Sequence, residues 1–305
     1  FVQAFERIPT GYKHIMEFLQ ANSFKDKQCD GILGCFEYEY TKDGVIYHTV
    51  KIIDFENIDN NEFLVTNQFT IEEQSTKRPD MIIFINGLPL IVFELKSMTR
   101  EDVSLESAYN QLKGYMNVHI PSLFYYNQIL VVSDGVTAKA GTITCNYSRF
   151  NEWKKTGIND STRKNNTHES LINGIFNKET LLDLINNYIL YSDDNKILPA
   201  YHQYYGVEKA IERTLNSKDG RAGIIWHTQG SGKTGLAAFA NRVIRDYYAR
   251  QNINTRFFFI VDRLDLLRQA STEFKVRGLN VINCKDKEEF MKEIDKPLPT
   301  NIDTK

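Results

Sequence analysis

A glycine-rich octapeptide, His227-Thr-Gln-Gly-Ser-Gly-Lys-Thr234, stands between an apolar run at 222–226 and a stretch of helical periodicity that starts at 233. Few loops restrict a fold so tightly. Gly230 and Gly232 permit a tight backbone whose amides converge on one anion, and a helix that follows adds the positive end of its dipole. Lys233 then reaches the outer phosphates of a nucleotide, Thr234 holds its Mg2+, and Thr228, Gln229, Gly230, Ser231 and Gly232 line the cradle. Such a P-loop needs a strand before it and a helix after it, which predicts a parallel α/β layer. The flanking pattern agrees. Helices are predicted at about 203–216, 233–250 and 264–275, and strands at 222–226, 256–262 and 280–284. One position departs from the usual motif, with His227 where Gly or Ala is the rule.

A second constellation lies far upstream. Arg78-Pro79-Asp80 opens the apolar run Met-Ile-Ile-Phe-Ile at 81–85, Asn86-Gly87-Leu88-Pro89 reads as a turn, and a second strand closes on Glu94-Leu95-Lys96. Alternation along a strand puts Glu94 and Lys96 on one face and Leu95 on the other. The hairpin returns Glu94 beside Asp80. Two carboxylates so placed suit a hard divalent cation such as Mg2+, which would polarise a phosphodiester and generate hydroxide from water. Lys96 would stabilise the charge of the pentavalent phosphoryl group or orient the attacking water. An arbitrary Glu-x-Lys is usually a surface ion pair. Here Ile91, Val92, Phe93 and Leu95 make the strand apolar on both sides, so it is expected to be central, and burying a charged pair there is costly without a partner or a metal.

A helix is predicted from Thr99-Arg100-Glu101-Asp102 to about Met116, with Gln111 and Tyr115 four apart on one face. A hairpin is expected around Lys42-Asp43-Gly44, with strands at 32–40 and 45–53, after a helix near 11–20. Phe63 to Ile71 reads as another extended run, and 128–133 as a buried strand ended by Asp134-Gly135. Residues 151–169 have the polar composition of a surface or linker segment.

With 37 Lys and Arg against 39 Asp and Glu, the net charge of −2 argues against a chain that simply coats DNA; any phosphate contacts must be local. Cysteines 29, 35, 145 and 284 form no Cys-x-x-Cys pair, which argues against zinc and suits a reducing cytosol. Histidines 14, 48, 119 and 168 have no ligand spacing and are expected to be satisfied or solvated. No secretory leader is expected, and the sequence has no apolar run long enough to span a membrane as a helix. It begins at Phe1 rather than Met, and the expectation is a piece of a longer chain.

The run from Arg78 to Lys96 closely resembles the restriction subunit of type I restriction–modification enzymes. So do Pro121-Ser-Leu-Phe-Tyr-Tyr-Asn-Gln128, Ser133-Asp134-Gly135 and the octapeptide beginning at His227, and the likeness extends over most of 63–275. It implies a PD-(D/E)xK endonuclease-like α/β domain over 1–175, a linker helix region over 176–198, and over 199–305 the N-terminal part of a RecA-like P-loop parallel α/β domain. It implies that the carbonyl of Leu95 joins Asp80 and Glu94 around the metal, and that Gln111 and Tyr115 extend the nuclease core. Likeness to superfamily 2 helicases makes Gln203 the residue that reads adenine; likeness of 261–266 to the same restriction subunits brings that loop near the DNA backbone, where Arg263 either contacts phosphate or, as is commoner for an arginine at a strand end, is structural. The implied activity is Mg2+- and ATP-dependent cleavage and translocation of unmodified double-stranded DNA in the cytoplasm, with methylation and specificity subunits as partners. With no acidic Walker B segment after Asp262, the piece is expected to bind ATP without hydrolysing it efficiently. Two other readings stand beside this one: a repair helicase–nuclease acting on DNA ends, and a catalytically silent DNA tether.

Overall fold

The computed structural model describes residues 40–42 and 45–47 by backbone, and 52–97, 104–160, 166–192, 194–216 and 223–297 in full. The helix expected near 11–20, the strand residues before 40, Cys29, Cys35, His14, His48 and the helix start at 99–102 lie outside these. The chain divides into two compact units, one ending at Ala200 and the other starting at Tyr201.

The first unit is built on a five-stranded sheet. Its strands are β3 (Phe63–Asn67), β6 (Met81–Ile85), β7 (Leu88–Leu95), β8 (Ile129–Ser133) and β9 (Ala138–Gly141), in the spatial order β3-β6-β7-β8-β9. All neighbours are antiparallel except β7 and β8. Among the described residues three short hairpins accompany this sheet: β1 (Tyr40–Lys42) with β2 (Val45–Tyr47), β4 (Ile71–Glu72) with β5 (Thr76–Lys77), and β10 (Leu190–Ser192) with β11 (Asn195–Ile197). The one parallel step needs a crossover, and α1 (Leu105–Gly114) supplies it, continuing through a wider π-type turn at Tyr115–His119. Ser104 caps α1 by accepting from the Ser107 amide at 3.2 Å.

β7 is central, and Leu88 through Glu94 are all buried. Both faces are covered, as a central strand with a continuous apolar run requires. On one face Ile82, Phe84 and Val92 pack with Ala108, Leu112 and Tyr115 of the helical crossover. On the other, Phe93 meets Phe176 with ring centroids 5.0 Å apart. The β6–β7 hairpin turns on Asn86 (φ 48°) and Gly87 (φ 80°), the two left-handed residues that match strand twist in a two-residue turn. Asn86 also ties down the 52–62 loop. Its amide donates to the Ile52 carbonyl at 2.7 Å and Asn61 Oδ1 at 2.9 Å, and its Oδ1 accepts from the Glu62 amide at 2.7 Å. Leu88 and Pro89, expected in the turn, belong to β7; a register shift between Ile83 and Phe84 accommodates the proline.

The extended run expected over 63–71 is broken. β3 stops at Asn67, and Gln68 adopts φ 51° before β4 begins. Residues expected as a linker region fold into the first unit: α2 (Thr167–Ile175), α3 (Lys178–Asp183) and a π-type turn to Tyr188 bury Leu171, Leu181, Leu184 and Tyr188. The β10–β11 hairpin seals this unit with Lys196, whose buried amine donates to the Asn127 carbonyl at 2.5 Å. Burial there pulls its pKa down to about 7.

In the second unit the predicted helices are present as α4 (Tyr201–Asn216), α5 (Lys233–Ala249) and α6 (Leu264–Val276), with α7 (Lys287–Asp295) after them. The predicted strands are not. Among the described residues after Ala200 no strand forms, and the runs at 223–226, 256–262 and 280–284 carry no ladder. Ile224 and Trp226 are 91% and 90% exposed. An apolar run encodes a demand for burial but not the neighbour that meets it, and parallel strands depend wholly on distant neighbours. Among the described residues no helix is long and apolar enough to cross a membrane.

Replacing Asn86 with Ala removes three hydrogen bonds and leaves a β-carbon in left-handed backbone. We expect a loss of about 2–4 kcal/mol in unfolding free energy, read from a urea titration.

Candidate nuclease and nucleotide sites

Met81 pairs with Phe93 across the β6–β7 ladder, so one step further sets Asp80 opposite Glu94. Both side chains fall on the face that carries Ile82 and Val92, toward the helical crossover. Glu94 is 2% exposed at the end of the central strand. Its Oε1 accepts from Lys96 Nζ at 3.0 Å, and its Oε2 is buried with no hydrogen-bond partner. Lys96 Nζ also donates to Gln111 Oε1 at 2.5 Å, and Gln111 Nε2 donates to the Tyr115 hydroxyl at 2.5 Å. The five side chains singled out from the sequence thus meet in one place, four of them joined in a hydrogen-bonded chain from Tyr115 to Glu94. The four-residue spacing on the helical crossover explains how Gln111 and Tyr115 reach the strand end together.

Asp80 sits beside this chain. Its Oδ2 accepts from the Leu95 amide at 2.7 Å, and its Oδ1 accepts from Gln68 Nε2 at 2.8 Å. Burial pushes the Glu94 carboxyl up to about 7; the hydrogen bond from Lys96 opposes the rise, while the charge of Asp80 and the hydrogen bond that a protonated Glu94 makes to the Asp80 carboxylate add to it. Burial likewise raises the Tyr115 phenol, opposed by the Gln111 hydrogen bond and reinforced by the charges of Glu94 and Asp80. Tyr115 is therefore a neutral group at physiological pH, with its own hydrogen left to donate after accepting from Gln111. A buried carboxylate oxygen with no partner is unusual, because an unmet buried charge is strongly unfavourable. It fits a site for a hard cation, with Asp80 adjacent and the Leu95 backbone between Glu94 and Lys96.

The structure brings in Gln68, which the sequence reading passed over, and gives hydrogen-bond partners to two of the histidines expected to be satisfied or solvated. Gln68 follows an ordinary strand, and only the left-handed φ it adopts marks it out. His168 Nδ1 lies 2.8 Å from the Ser133 hydroxyl, at the end of β8 where the Ser133 carbonyl also accepts from the Lys96 amide at 2.8 Å. His119 Nδ1 lies 2.9 Å from Ser75 Oγ.

In the second unit the octapeptide forms a loop that ends on α5. Gly230 and Gly232 take φ of 75° and 77°, and Gly232 caps the helix. Ser231 Oγ donates to the Thr228 carbonyl at 2.7 Å. Lys233 Nζ folds back over the loop onto the carbonyls of His227 at 2.9 Å and Thr228 at 2.7 Å. Gln229 is exposed, and Thr234 is half-buried in the first turn. The start of α4 clasps the loop: Gln203 Nε2 donates to the Gly232 carbonyl at 3.0 Å, and His202 Nε2 lies 3.0 Å from the Ser231 carbonyl. A β-carbon at Gly232 would stand 2.5 Å from Gln203 Nε2, the far end of a flexible side chain that can swing aside, so it is the φ of 77° that calls for glycine there. Burial, with help from the charges of His202 and Lys233, lowers the pKa of His227. Arg263 pairs with Asp265 at 2.6 Å, both exposed.

Comparison with known proteins bears out the resemblance read from the sequence. Residues 14–149 match the family model described as Type I restriction enzyme R protein N terminus, and residues 202–303 match that of the SWI2/SNF2 ATPase. The chain is 37% identical over 252 residues to the Type I restriction enzyme HindI endonuclease subunit of Haemophilus influenzae, covering 77% of this chain and 24% of that protein. It is 36% identical over 259 residues to the Putative type I restriction enzyme MjaIXP endonuclease subunit of Methanocaldococcus jannaschii, covering 74% of this chain and 24% of that one. The chain thus spans about a quarter of the length of the curated relatives it matches.

The raised carboxyl of Glu94 has a consequence for stability. Between the unfolded value of 4.5 and the folded value of about 7, the folded chain binds more protons than the unfolded one, so stability falls as pH rises across that window. In EDTA, Glu94→Gln is expected to match the parent near pH 4.5 and to exceed it by roughly 1–3 kcal/mol at pH 8. Urea unfolding at the two pH values measures the difference.

Proposed function

Taking residues 14–149 as a type I restriction enzyme R protein N terminus and 202–303 as a SWI2/SNF2-class ATPase segment, we propose that this chain is the nuclease end, with the start of the motor, of a type I restriction endonuclease subunit. In this reading the first unit is a PD-(D/E)xK nuclease core that cuts unmodified double-stranded DNA, and the second is the opening of a RecA-like domain that binds ATP. The observation that carries it is the buried Glu94 carboxylate, with one oxygen on Lys96 and the other unpartnered beside Asp80.

Asp80, Glu94 and the carbonyl of Leu95 would hold Mg2+. When bound, it supplies a Lewis acid for the phosphodiester and lowers the pKa of water. Glu94 offers a full carboxylate only above about pH 7, so it gives up its proton to become a ligand. Lys96, held between Glu94 and Gln111, is placed to stabilise charge building on the phosphate oxygens. Gln111 accepts from Lys96 and donates to Tyr115, which fixes both groups and leaves the Tyr115 hydrogen for a phosphate oxygen. Neither amide nor phenol has a pKa suited to proton transfer near neutrality; they position the backbone of the DNA.

In the second unit the amides of 229–234 and the α5 N-terminus would take the phosphates of ATP, with Lys233 moving from the loop carbonyls to the outer phosphates and Thr234 holding Mg2+. Gln203, whose amide meets the Gly232 carbonyl, stands at the rim of the same cradle and would read adenine. The whole enzyme would work in the cytoplasm with methylation and specificity subunits that choose the site. Relatives named as restriction endonuclease subunits favour this over a repair helicase–nuclease acting on DNA ends.

The test uses the assembled enzyme. Glu94→Ala is expected to lower cleavage of unmodified circular DNA by at least about a hundredfold while ATP turnover persists. Lys233→Ala is expected to weaken ATP binding by about tenfold or more and to stop cutting as well, because cutting follows the motor. Cleavage at distant positions by the Lys233→Ala enzyme would contradict the coupling, and equal loss of both activities in Glu94→Ala would point to misfolding.

A further inference from the structure

We propose that Gln68 is a positioning residue for Asp80, holding its carboxylate in the orientation the metal site requires; this rests on the nuclease reading of that site. Four observations converge on it.

β3 runs in register with β6 as far as Asn67 opposite Met81. One more ladder step would set Gln68 opposite Asp80. Instead the backbone turns left-handed at Gln68, with φ 51°. That conformation crowds the β-carbon of an L-residue and is met cheaply by Gly or Asn. A glutamine there is not chosen for the turn.

What it provides is a two-point hold. The Gln68 amide N–H donates to the Asp80 carbonyl at 3.1 Å, and its side-chain Nε2 donates to Asp80 Oδ1 at 2.8 Å. On the other flank the Leu95 amide donates to Asp80 Oδ2 at 2.7 Å. Each oxygen of the carboxylate thus has one donor, from opposite sides of β6, and its plane is fixed. Each oxygen keeps lone-pair capacity for a cation. Strain held in place by surrounding contacts at a site of this kind is the pattern of a functional backbone position.

The donor is also of the right charge. Lys or Arg at 68 would orient Asp80 equally well, yet would neutralise it and compete with a divalent cation. A neutral carboxamide orients without cancelling charge. This is the division of labour found around metal ligands, where outer hydrogen-bond partners set ligand direction and their loss costs about 10–100-fold in metal affinity or activity.

The test separates backbone from side chain. Gln68→Gly relieves the left-handed strain and removes the carboxamide. In the full chain without metal it is expected to melt at or above the parental temperature. Titrated with Mn2+ alone, followed by the loss of the free-ion electron paramagnetic resonance signal, it is expected to bind about tenfold or more weakly than the parent. A purely structural role would leave Mn2+ affinity unchanged. Asp80→Ala, titrated alongside, is expected to lose the site. Parental affinity in Gln68→Gly with loss in Asp80→Ala overturns the role of Gln68 and leaves the metal site standing. Parental affinity in Asp80→Ala overturns the metal reading itself, and the proposal with it. Should Gln68→Gly lose its thermal transition, Gln68→Asn is read in its place. Its backbone tolerates the turn and its amide falls one methylene short, so the same weakening is expected, and parental affinity again overturns the proposal.

Discussion

The carboxylate of Glu94 is carried into the interior at the end of a strand that is apolar from Leu88 to Phe93, and its Oε2 accepts no hydrogen bond. Most of the first unit can be understood from what that requires. The charge is tolerable only if the remaining oxygen is paired, and Lys96, two residues on and on the same face, pairs it. Lys96 in turn needs a second acceptor, which fixes Gln111; Gln111 fixes Tyr115. The helical crossover must therefore lie over β7 with one particular face inward. Ala108, Leu112 and Tyr115, at intervals of four and three, give it the apolar stripe that does so. Polar chain and apolar stripe leave the same helix side by side, so the packing that stabilises the sheet also sets the geometry at its end.

Much of this was legible in the sequence because its signals are local. The apolar flanks of Glu94 mark a strand buried on both sides, the Asn86-Gly87 turn fixes the return of Asp80, and four-residue spacing joins Gln111 to Tyr115. Gln68 was not legible. It belongs to the site because a strand stops one residue short and the backbone changes hand, and no periodicity encodes that. The buried Lys196 was hidden for a similar reason: its burial comes from a hairpin docking far from it in sequence, onto Asn127. The resemblance made 176–198 a linker helix region, and its buried Leu and Tyr residues pack it into the first unit.

The second unit shows the same rule from the other side. Its loop assembles from residues within a few positions of one another, plus the first turn of α4; the glycines take positive φ, Lys233 folds back onto the loop carbonyls and α5 starts at once after Gly232. Its helices follow their 3.6-residue period. The runs between them were read as parallel strands, and they do not pair. Helix and loop need only their own segment; a parallel strand needs a neighbour delivered by a crossover on each side. Ile224 and Trp226 remain in solvent where such neighbours would cover them.

The central claim is that the unpartnered oxygen of Glu94 is a metal ligand. Crystals soaked in Mn2+ and measured at the manganese absorption edge test it most directly. The account predicts one anomalous peak in the first unit, at about 2.0–2.3 Å from carboxylate oxygens of both Asp80 and Glu94. A structure with Mn2+ bound elsewhere in that unit, and Glu94 Oε2 turned to a protein donor, would contradict it.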